Sequence, residues 1–231
     1  DVVERLDAVG IIGVLVGKPF GSKAELAETA IAIERDVLRE GVGSQDQVAV
    51  AHGGLNKIDF YWDGSFRVFS IRNMTVDLVG EMDRHLLLFY VGRRGGDAGV
   101  AAKSVSAEQA SRVSVNEGLL YEIGSKVNDG IDVLRRGKVI ELGRILHESW
   151  LLKRALSGAI TTDVIDSIYA RALNAGALGG KLLGAGGGGF MLLLAPPDAH
   201  DAVTGALSDL VRVPFSLGGW NGSEVLVDEG T

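Results

Sequence analysis

The stretch from Lys181 to Leu194, KLLGAGGGGFMLLL, places a run of very small residues between two apolar segments. Ordering a glycine costs about 0.5–1 kcal/mol relative to alanine where an ordinary residue would serve. Such a run is therefore expected where the backbone needs positive φ or where another group must approach it closely. The residues concerned are Gly184, Ala185, Gly186, Gly187, Gly188 and Gly189. The continuous apolar run that follows, residues 190–195, predicts a buried strand.

Two interpretations of this glycine loop stay open. One is a flexible surface loop or a tight hairpin, which the apolar segments on both sides disfavour because linkers are polar. The other is a loop that turns its backbone N–H groups toward the oxygens of a bound phosphate or substrate. The glycines are not followed by Gly-Lys-Ser/Thr, and they lack the spacing of a dinucleotide-binding turn, so neither of those motifs applies.

Composition limits the classes of protein to consider. The 231 residues are 46% hydrophobic and 23% charged, as in ordinary soluble globular proteins. A net charge of −7 argues against nucleic-acid binding, for which a basic surface is expected. The chain has no cysteine, its four histidines lack metal-ligand spacing, and no apolar run reaches the ~20 residues that span a bilayer. We therefore expect no membrane or nucleic-acid partner and a cytoplasmic location.

Periodicity and turn signals predict an α+β protein. Ser22 and Glu25 form a capping box that starts a helix over residues 23–40. Asp63-Gly64 marks the turn of a hairpin, and residues 86–91 predict a buried strand. Further helices are predicted over residues 45–51, 106–135, 139–156, 163–175 and 198–210, and further strands over 211–216 and 224–227. Trp150 is interpreted as a core residue rather than a binding residue.

Two blocks of sequence resemble the GHMP kinase superfamily. The first runs from His147-Glu148-Ser149-Trp150 through the glycine loop, and the second comprises Ile33-Glu34-Arg35, residues 42–47 (VGSQDQ) and residues 53–56 (GGLN). Within the superfamily they are most similar to the D-glycero-D-manno-heptose 7-phosphate kinases. The resemblance implies a two-domain fold, with residues 1–72 as the remainder of an N-terminal ATP-binding domain. Residues 73–231 would form a ferredoxin-like C-terminal domain.

The resemblance also implies a reaction. ATP and Mg²⁺ would serve to phosphorylate the anomeric hydroxyl of a heptose 7-phosphate, supplying nucleotide-activated heptose for lipopolysaccharide or capsule synthesis. The sugar phosphate and ATP are the expected partners, and a homodimer is one compatible assembly. Another anomeric kinase, of the fucose or galactose type, is the alternative within the enzyme class. A non-catalytic relative that binds a sugar or a nucleotide is the alternative outside it.

Two carboxylates are the central candidates. Residue chemistry alone leaves Glu34 as part of a solvated charged face and Asp46 as a turn or capping residue. The resemblance implies that Glu34 holds Mg²⁺ against the ATP phosphates and that Asp46 accepts the proton of the attacking hydroxyl. Magnesium needs only one or two protein carboxylates when phosphate and water complete its shell, so a single Glu suffices.

The remaining candidates are polar groups for the sugar phosphate. Arg93 and Arg94 follow the predicted strand 86–91 and are either a solvated turn or a clamp that pairs with phosphate oxygens. Gln45, Lys153 and Lys181 join them as candidate sugar-phosphate contacts. The family's Gly-Ser-rich phosphate loop would stand directly before Ala8, where this sequence reads Glu4-Arg5-Leu6-Asp7. Three explanations stay open: the chain is a fragment, residues are missing from it, or its first few residues come from elsewhere in a longer protein.

Overall fold

The computed structural model describes residues 20–39, 43–71, 76–92, 113–158, 160–183, 187–217 and 222–223. The chain divides into two compact units, the first comprising Asp1–Arg72 with Gly219–Thr231 and the second Asn73–Gly218. Gly222 and Ser223, which the sequence analysis assigns to the second domain, lie with the first unit. The reason is a backbone bond in which the Ser223 N–H donates to the Ala51 carbonyl at 3.3 Å.

The described part of the first unit consists of helices packed on a hairpin. Its elements are α1 (Lys23–Ala32), a π-helical segment (Ile33–Val37), α2 (Gln45–His52), β1 (Asn56–Phe60) and β2 (Phe66–Ser70). The capping box is present in modified form: the Ser22 Oγ accepts from the Glu25 N–H, but the Glu25 carboxylate accepts from Gly21. The predicted helix over 23–40 therefore begins as expected and changes its hydrogen bonding at Ile33.

The hairpin and the helices share a small apolar core. β1 and β2 are antiparallel with Ile58 opposite Val68, and Gly64 takes φ 85 in the turn, as the Asp63-Gly64 signal predicts. Buried residues of α1 and α2 pack against the inner side of this hairpin; they are Leu26, Ala27, Ala30, Ile31, Val48 and Ala51. This core fixes α1 against α2.

The second unit is an antiparallel four-stranded sheet with helices, in the strand order β4-β5-β3-β6. Its elements are α3 (Val76–His85), β3 (Leu86–Tyr90), α4 (Val113–Arg135), α5 (Val139–Leu156), α6 (Asp163–Asn174), β4 (Gly179–Leu183), β5 (Phe190–Leu194), a 3₁₀ turn (Pro197–Ala199), α7 (His200–Ala206) and β6 (Val211–Arg212). The predicted α+β class is confirmed. The strand predicted over 224–227 lies outside the described residues.

The sheet buries both of its faces. Side chains alternate along a strand, so Leu87 and Phe89 enter one apolar cluster while Leu86 enters another. The larger cluster contains Trp150, which is 1% exposed, so its interpretation as a core residue is confirmed. None of the helices in the described ranges combines the length and apolar character needed to cross a bilayer.

Candidate functional site

Glu34 and Gln47 form a buried polar pair in the first unit. Their residues are only 2% and 1% exposed, and the Gln47 side-chain amide donates to Glu34 Oε2 at 2.5 Å. Glu34 comes from the π-helical segment and Gln47 from α2, and the apolar core beside them holds these two elements together. Glu34 is therefore not part of a solvated charged face. Its carboxylate is held in one orientation inside the protein.

The π-helical segment determines where Glu34 is presented. The Leu38 N–H donates to the Ile33 carbonyl at 2.9 Å, five residues back rather than four, which widens the helix by one residue. The segment then ends near Arg39, which takes φ 57. Such widened turns rotate the side chains that follow and occur often at functional sites. Here the widened turn contains the buried carboxylate.

Asp46 stands in a different environment on the same helix as Gln47. It is exposed in the first turn of α2, where the positive end of the helix dipole favours a carboxylate. Ser44, not Asp46, occupies the N-cap position, so the capping interpretation of Asp46 does not apply. Gln45 donates weakly to Asp46 Oδ1, at 3.4 Å. One turn of helix thus carries an inward amide that fixes Glu34 and an outward carboxylate.

The Glu34 carboxylate suits a magnesium ion whose other ligands are phosphate oxygens and water molecules. Across the ranges that the structure describes, no cluster of three or more His, Cys, Asp or Glu side chains could enclose a metal. Magnesium does not need one, because it is commonly held by one or two carboxylates with phosphate oxygens and water. A single oriented carboxylate such as that of Glu34 fits this requirement.

The glycine loop is described from Gly187 onward, and its backbone donors there are used internally. The Gly187 N–H donates to the Ile160 carbonyl at 3.1 Å, and the Gly189 N–H donates to the Gly92 carbonyl at 2.8 Å. Gly189 takes φ 108, and a Cβ on it would lie 2.6 Å from the Leu183 carbonyl oxygen. These two N–H groups therefore donate to backbone carbonyls of the protein in this structure, and a phosphate-binding role for the loop stays a prediction. Gly184, Ala185 and Gly186 lie outside the described residues, and Gly188 is buried.

His147 and Trp150, from the first sequence block, pack helix α5 against α6. His147 Nδ1 lies 2.9 Å from the Tyr169 hydroxyl, with the two rings stacked at 7° and 5.9 Å between centroids. Trp150 contacts the same tyrosine, at 6.1 Å between ring centroids. Burial raises the pKa of Tyr169 to about 12, against smaller lowering effects of the Gly180 backbone and Arg154. The described contacts of these two residues are thus structural.

Glu148 joins two helices. It accepts from Lys126 of α4 at 2.6 Å and from Arg144 of its own helix at 2.5 Å. The hydrogen bond from Lys126 is the largest cause that holds the pKa of the Glu148 carboxyl below its ordinary value. The same bond raises the pKa of Lys126. This residue, too, serves the packing of α4 on α5.

The predicted basic contacts are placed only in part. Lys153 is half-buried on α5, and Lys181 is half-buried on β4 opposite Leu192. Arg93 and Arg94 fall outside the described residues. Glu34 and Asp46 belong to the first unit, whereas Lys153, Lys181 and the glycine loop belong to the second.

Sequence reasoning missed two features. Gln47 was not singled out as a site residue, although its place between Asp46 and the apolar Val48 is compatible with an inward amide. The contact between Gly143 of α5 and Gly179 of β4 was also missed, because nothing in a single sequence pairs two distant glycines. A shallow cavity of about 420 Å³ at the end of α2 includes none of the predicted site residues; it is lined by Ala24, His52, Gly53, Asn56, Phe66, Arg67, Val68 and Ser70.

Comparison with known proteins identifies the fold. Residues 131–212 match the family described as "GHMP kinases C terminal". A solved structure of a D-glycero-D-manno-heptose 1-phosphate kinase from Bacteroides thetaiotaomicron superposes with a TM-score of 0.67 at 23% identity, over 92% of this chain and 58% of that one. Residues 131–212 therefore resemble the C-terminal domain of GHMP kinases, and the chain shares the mixed helix and sheet fold of that solved structure.

Three curated relatives are kinases of different substrates. A D-glycero-alpha-D-manno-heptose 7-phosphate kinase from Campylobacter jejuni is 29% identical over 78% of this chain and 51% of its own length. A bifunctional fucokinase/GDP-fucose pyrophosphorylase from Arabidopsis thaliana is 26% identical over 78% of this chain and 17% of its own length. A mevalonate kinase from Thermococcus onnurineus is 28% identical over 85% and 55%. The chain thus spans about half the length of the heptose and mevalonate kinases that it matches.

Proposed function

We propose that this chain is part of a GHMP-type sugar kinase that transfers the γ-phosphoryl group of ATP to the anomeric hydroxyl of a heptose 7-phosphate. The observation that carries the proposal is the pair of carboxylates with opposite environments in the first unit. Glu34 is buried and oriented by Gln47, while Asp46 is exposed one residue before Gln47. Phosphoryl transfer commonly uses one carboxylate to hold Mg²⁺ and another to orient or deprotonate the attacking hydroxyl.

Each carboxylate has its own task in this proposal. Glu34 would hold Mg²⁺ through the carboxylate that Gln47 orients. When bound, the ion neutralises charge on the ATP phosphates and aligns them. Asp46 would accept the proton of the sugar hydroxyl, since it is accessible and can meet a substrate without moving its helix.

The proposed reaction balances without a further reagent. The proton of the anomeric hydroxyl passes to an Asp46 carboxylate oxygen as that hydroxyl oxygen bonds to the γ-phosphorus. The bond from the γ-phosphorus to the β–γ bridging oxygen breaks, and ADP leaves. Asp46 then returns its proton to solvent. The products are ADP and a heptose 1,7-bisphosphate.

The glycine loop and several basic side chains are proposed to contact phosphate groups. Gly184, Ala185, Gly186 and Gly188 are the proposed positions for backbone contacts, since Gly187 and Gly189 donate internally. The proposed contacts to the sugar phosphate are Gln45, Arg93, Arg94, Lys153 and Lys181. We place the reaction in the cytoplasm, where it would supply nucleotide-activated heptose for lipopolysaccharide or capsule.

Competing substrates have support of their own. The fucokinase and the mevalonate kinase relatives have identities close to that of the heptose 7-phosphate kinase, so a fucose- or galactose-type sugar, or mevalonate, is the second candidate acceptor. A binding protein without catalysis is the third. Glu34 and Asp46 together favour a catalyst over a binding protein, because binding alone requires no accessible proton acceptor.

A coupled assay of ADP release from the full-length protein separates these candidates. The acceptors are heptose 7-phosphate, unphosphorylated heptose, fucose, galactose and mevalonate, each with Mg-ATP. We expect kcat/KM for heptose 7-phosphate to exceed the others by at least tenfold. A preference for another acceptor would overturn the substrate assignment. If no acceptor supports ADP release, the binding protein without catalysis is favoured.

A further inference from the structure

Gln47 is the partner that fixes the candidate metal carboxylate. Its amide lies 2.5 Å from Glu34 Oε2, and both residues are almost completely excluded from solvent. Removal of this donor would take one hydrogen bond from a carboxylate that is shielded from water, which is unfavourable. The bond therefore favours the orientation in which the Glu34 carboxylate accepts from Gln47. This relationship is independent of any bound ligand.

We propose that Gln47 is a positioning residue that orients the Glu34 carboxylate for a divalent cation; this inference rests on the proposed kinase function. An amide suits the task better than a basic side chain would. It donates a hydrogen bond to one carboxylate oxygen but adds no positive charge that would repel a cation. Groups that contact a metal ligand in this way commonly change metal affinity by about 10–100-fold when they are replaced.

The position of Gln47 on α2 also couples the two carboxylates. Asp46 precedes it in the first turn of the helix, so a shift of this turn would move the proton acceptor and the donor to Glu34 together. Val48, the next residue, is fully buried in the apolar core and anchors the turn against α1. Gln47 thus orients the Glu34 carboxylate from the same helical turn that carries Asp46.

The test compares two ligands by calorimetry on the full-length protein. One is the Mn²⁺ complex of a non-hydrolysable ATP analogue, and the other is the same analogue without metal. Gln47→Met keeps the side-chain volume and removes the donor. We expect it to weaken binding of the Mn²⁺ complex about tenfold while affinity for the metal-free analogue stays within twofold. A purely structural residue would change both affinities together.

Further variants make the result specific. In Glu34→Gln, the affinity for the Mn²⁺ complex should fall toward that for the metal-free analogue. The double variant Glu34→Gln/Gln47→Met should show no further fall, because Gln47 acts through Glu34. Val68→Ala, the matched control, removes apolar contacts with the same core from strand β2 and should change neither affinity beyond twofold. If Gln47→Met does not fold by circular dichroism, Gln47→Asn replaces it, since the shorter amide withdraws the donor and should also weaken the Mn²⁺ complex selectively.

The outcomes separate this inference from the proposed function. If the parent binds the Mn²⁺ complex no better than the metal-free analogue, both the proposed function and the inference fail. Suppose that the parent binds the Mn²⁺ complex more tightly than the metal-free analogue and that Glu34→Gln does not. If the Gln47 variant still binds the Mn²⁺ complex as tightly as the parent, the inference alone is wrong. Additive losses in the double variant would likewise overturn it, because Gln47 would then act independently of Glu34.

Discussion

The backbone of Gly143 in α5 lies directly against Gly179 in β4. A Cβ on Gly179 would fall far inside contact distance of the Gly143 carbonyl oxygen and 2.8 Å from the backbone nitrogen of His147. Both clashing groups are backbone, so no side-chain rotation can relieve them. The two glycines therefore allow a helix to approach the sheet more closely than any side chain would permit.

Replacing Gly179 with alanine should destabilise the protein strongly. The helix must move away from β4, and overpacking of this kind costs about 1–3 kcal/mol or more. Chemical denaturation of the purified variant gives the free energy of unfolding. Gly118→Ala is the control, because Gly118 is exposed on α4 with no atom within 4 Å of its added Cβ. That change should stabilise by about 0.5–1 kcal/mol, and equal effects of the two substitutions would refute the packing argument.

Tyr169 should make the protein sensitive to alkaline pH. Its pKa is raised to about 12, so the folded state keeps a proton that the unfolded chain loses near pH 10. The stability from this group is complete below pH 10 and is lost as pH rises toward 12. Tyr169→Phe should cost about 0.5–1.5 kcal/mol at neutral pH through the lost contact with His147. Its stability should then fall less steeply than the parent's between pH 10 and 12; parallel curves would contradict this account.

Glu148 should contribute stability with the opposite pH dependence. Its pKa is lowered mainly by the hydrogen bond from Lys126, so its contribution is complete above the ordinary glutamate value, near 4.3, and is lost as pH falls through the lower folded value. Glu148→Gln should be slightly less stable than the parent at pH 7. The two proteins should converge in urea melts below pH 4. A stability difference that persists at low pH would mean that the charge of Glu148 is not the cause.

The sequence predicts elements well where local chemistry decides them. Asp63-Gly64 gave the turn of the hairpin, since Gly64 supplies the positive φ that the turn needs. Ser22 gave the start of α1. The strand Gly179–Leu183 was not predicted, because its glycines are unfavourable in strands and are required only by the close approach of α5. The helix Val76–His85 was missed as well; it depends on burial of Leu78 and Met82 against distant residues.

The candidate site was predictable to a similar extent. Resemblance selected Glu34 and Asp46, but periodicity could not reveal that Glu34 is buried, because the π-helical segment shifts the register after Ile33. Nor could it show that the N–H groups of Gly187 and Gly189 are used by Ile160 and Gly92, since those partners are distant in sequence. In both cases the deciding contact is tertiary.

The substitution Asp46→Asn tests the central claim most directly. The amide side chain would keep the size of the carboxylate and its exposed place on α2, but it could not accept a proton from the sugar hydroxyl. In the full-length protein, under saturating Mg-ATP and heptose 7-phosphate, we expect kcat for ADP release to fall by about 10²–10⁴-fold, with the free energy of unfolding unchanged within about 0.5 kcal/mol. A D46N variant that turns over at close to the parent rate would contradict the assignment of Asp46 as the proton acceptor.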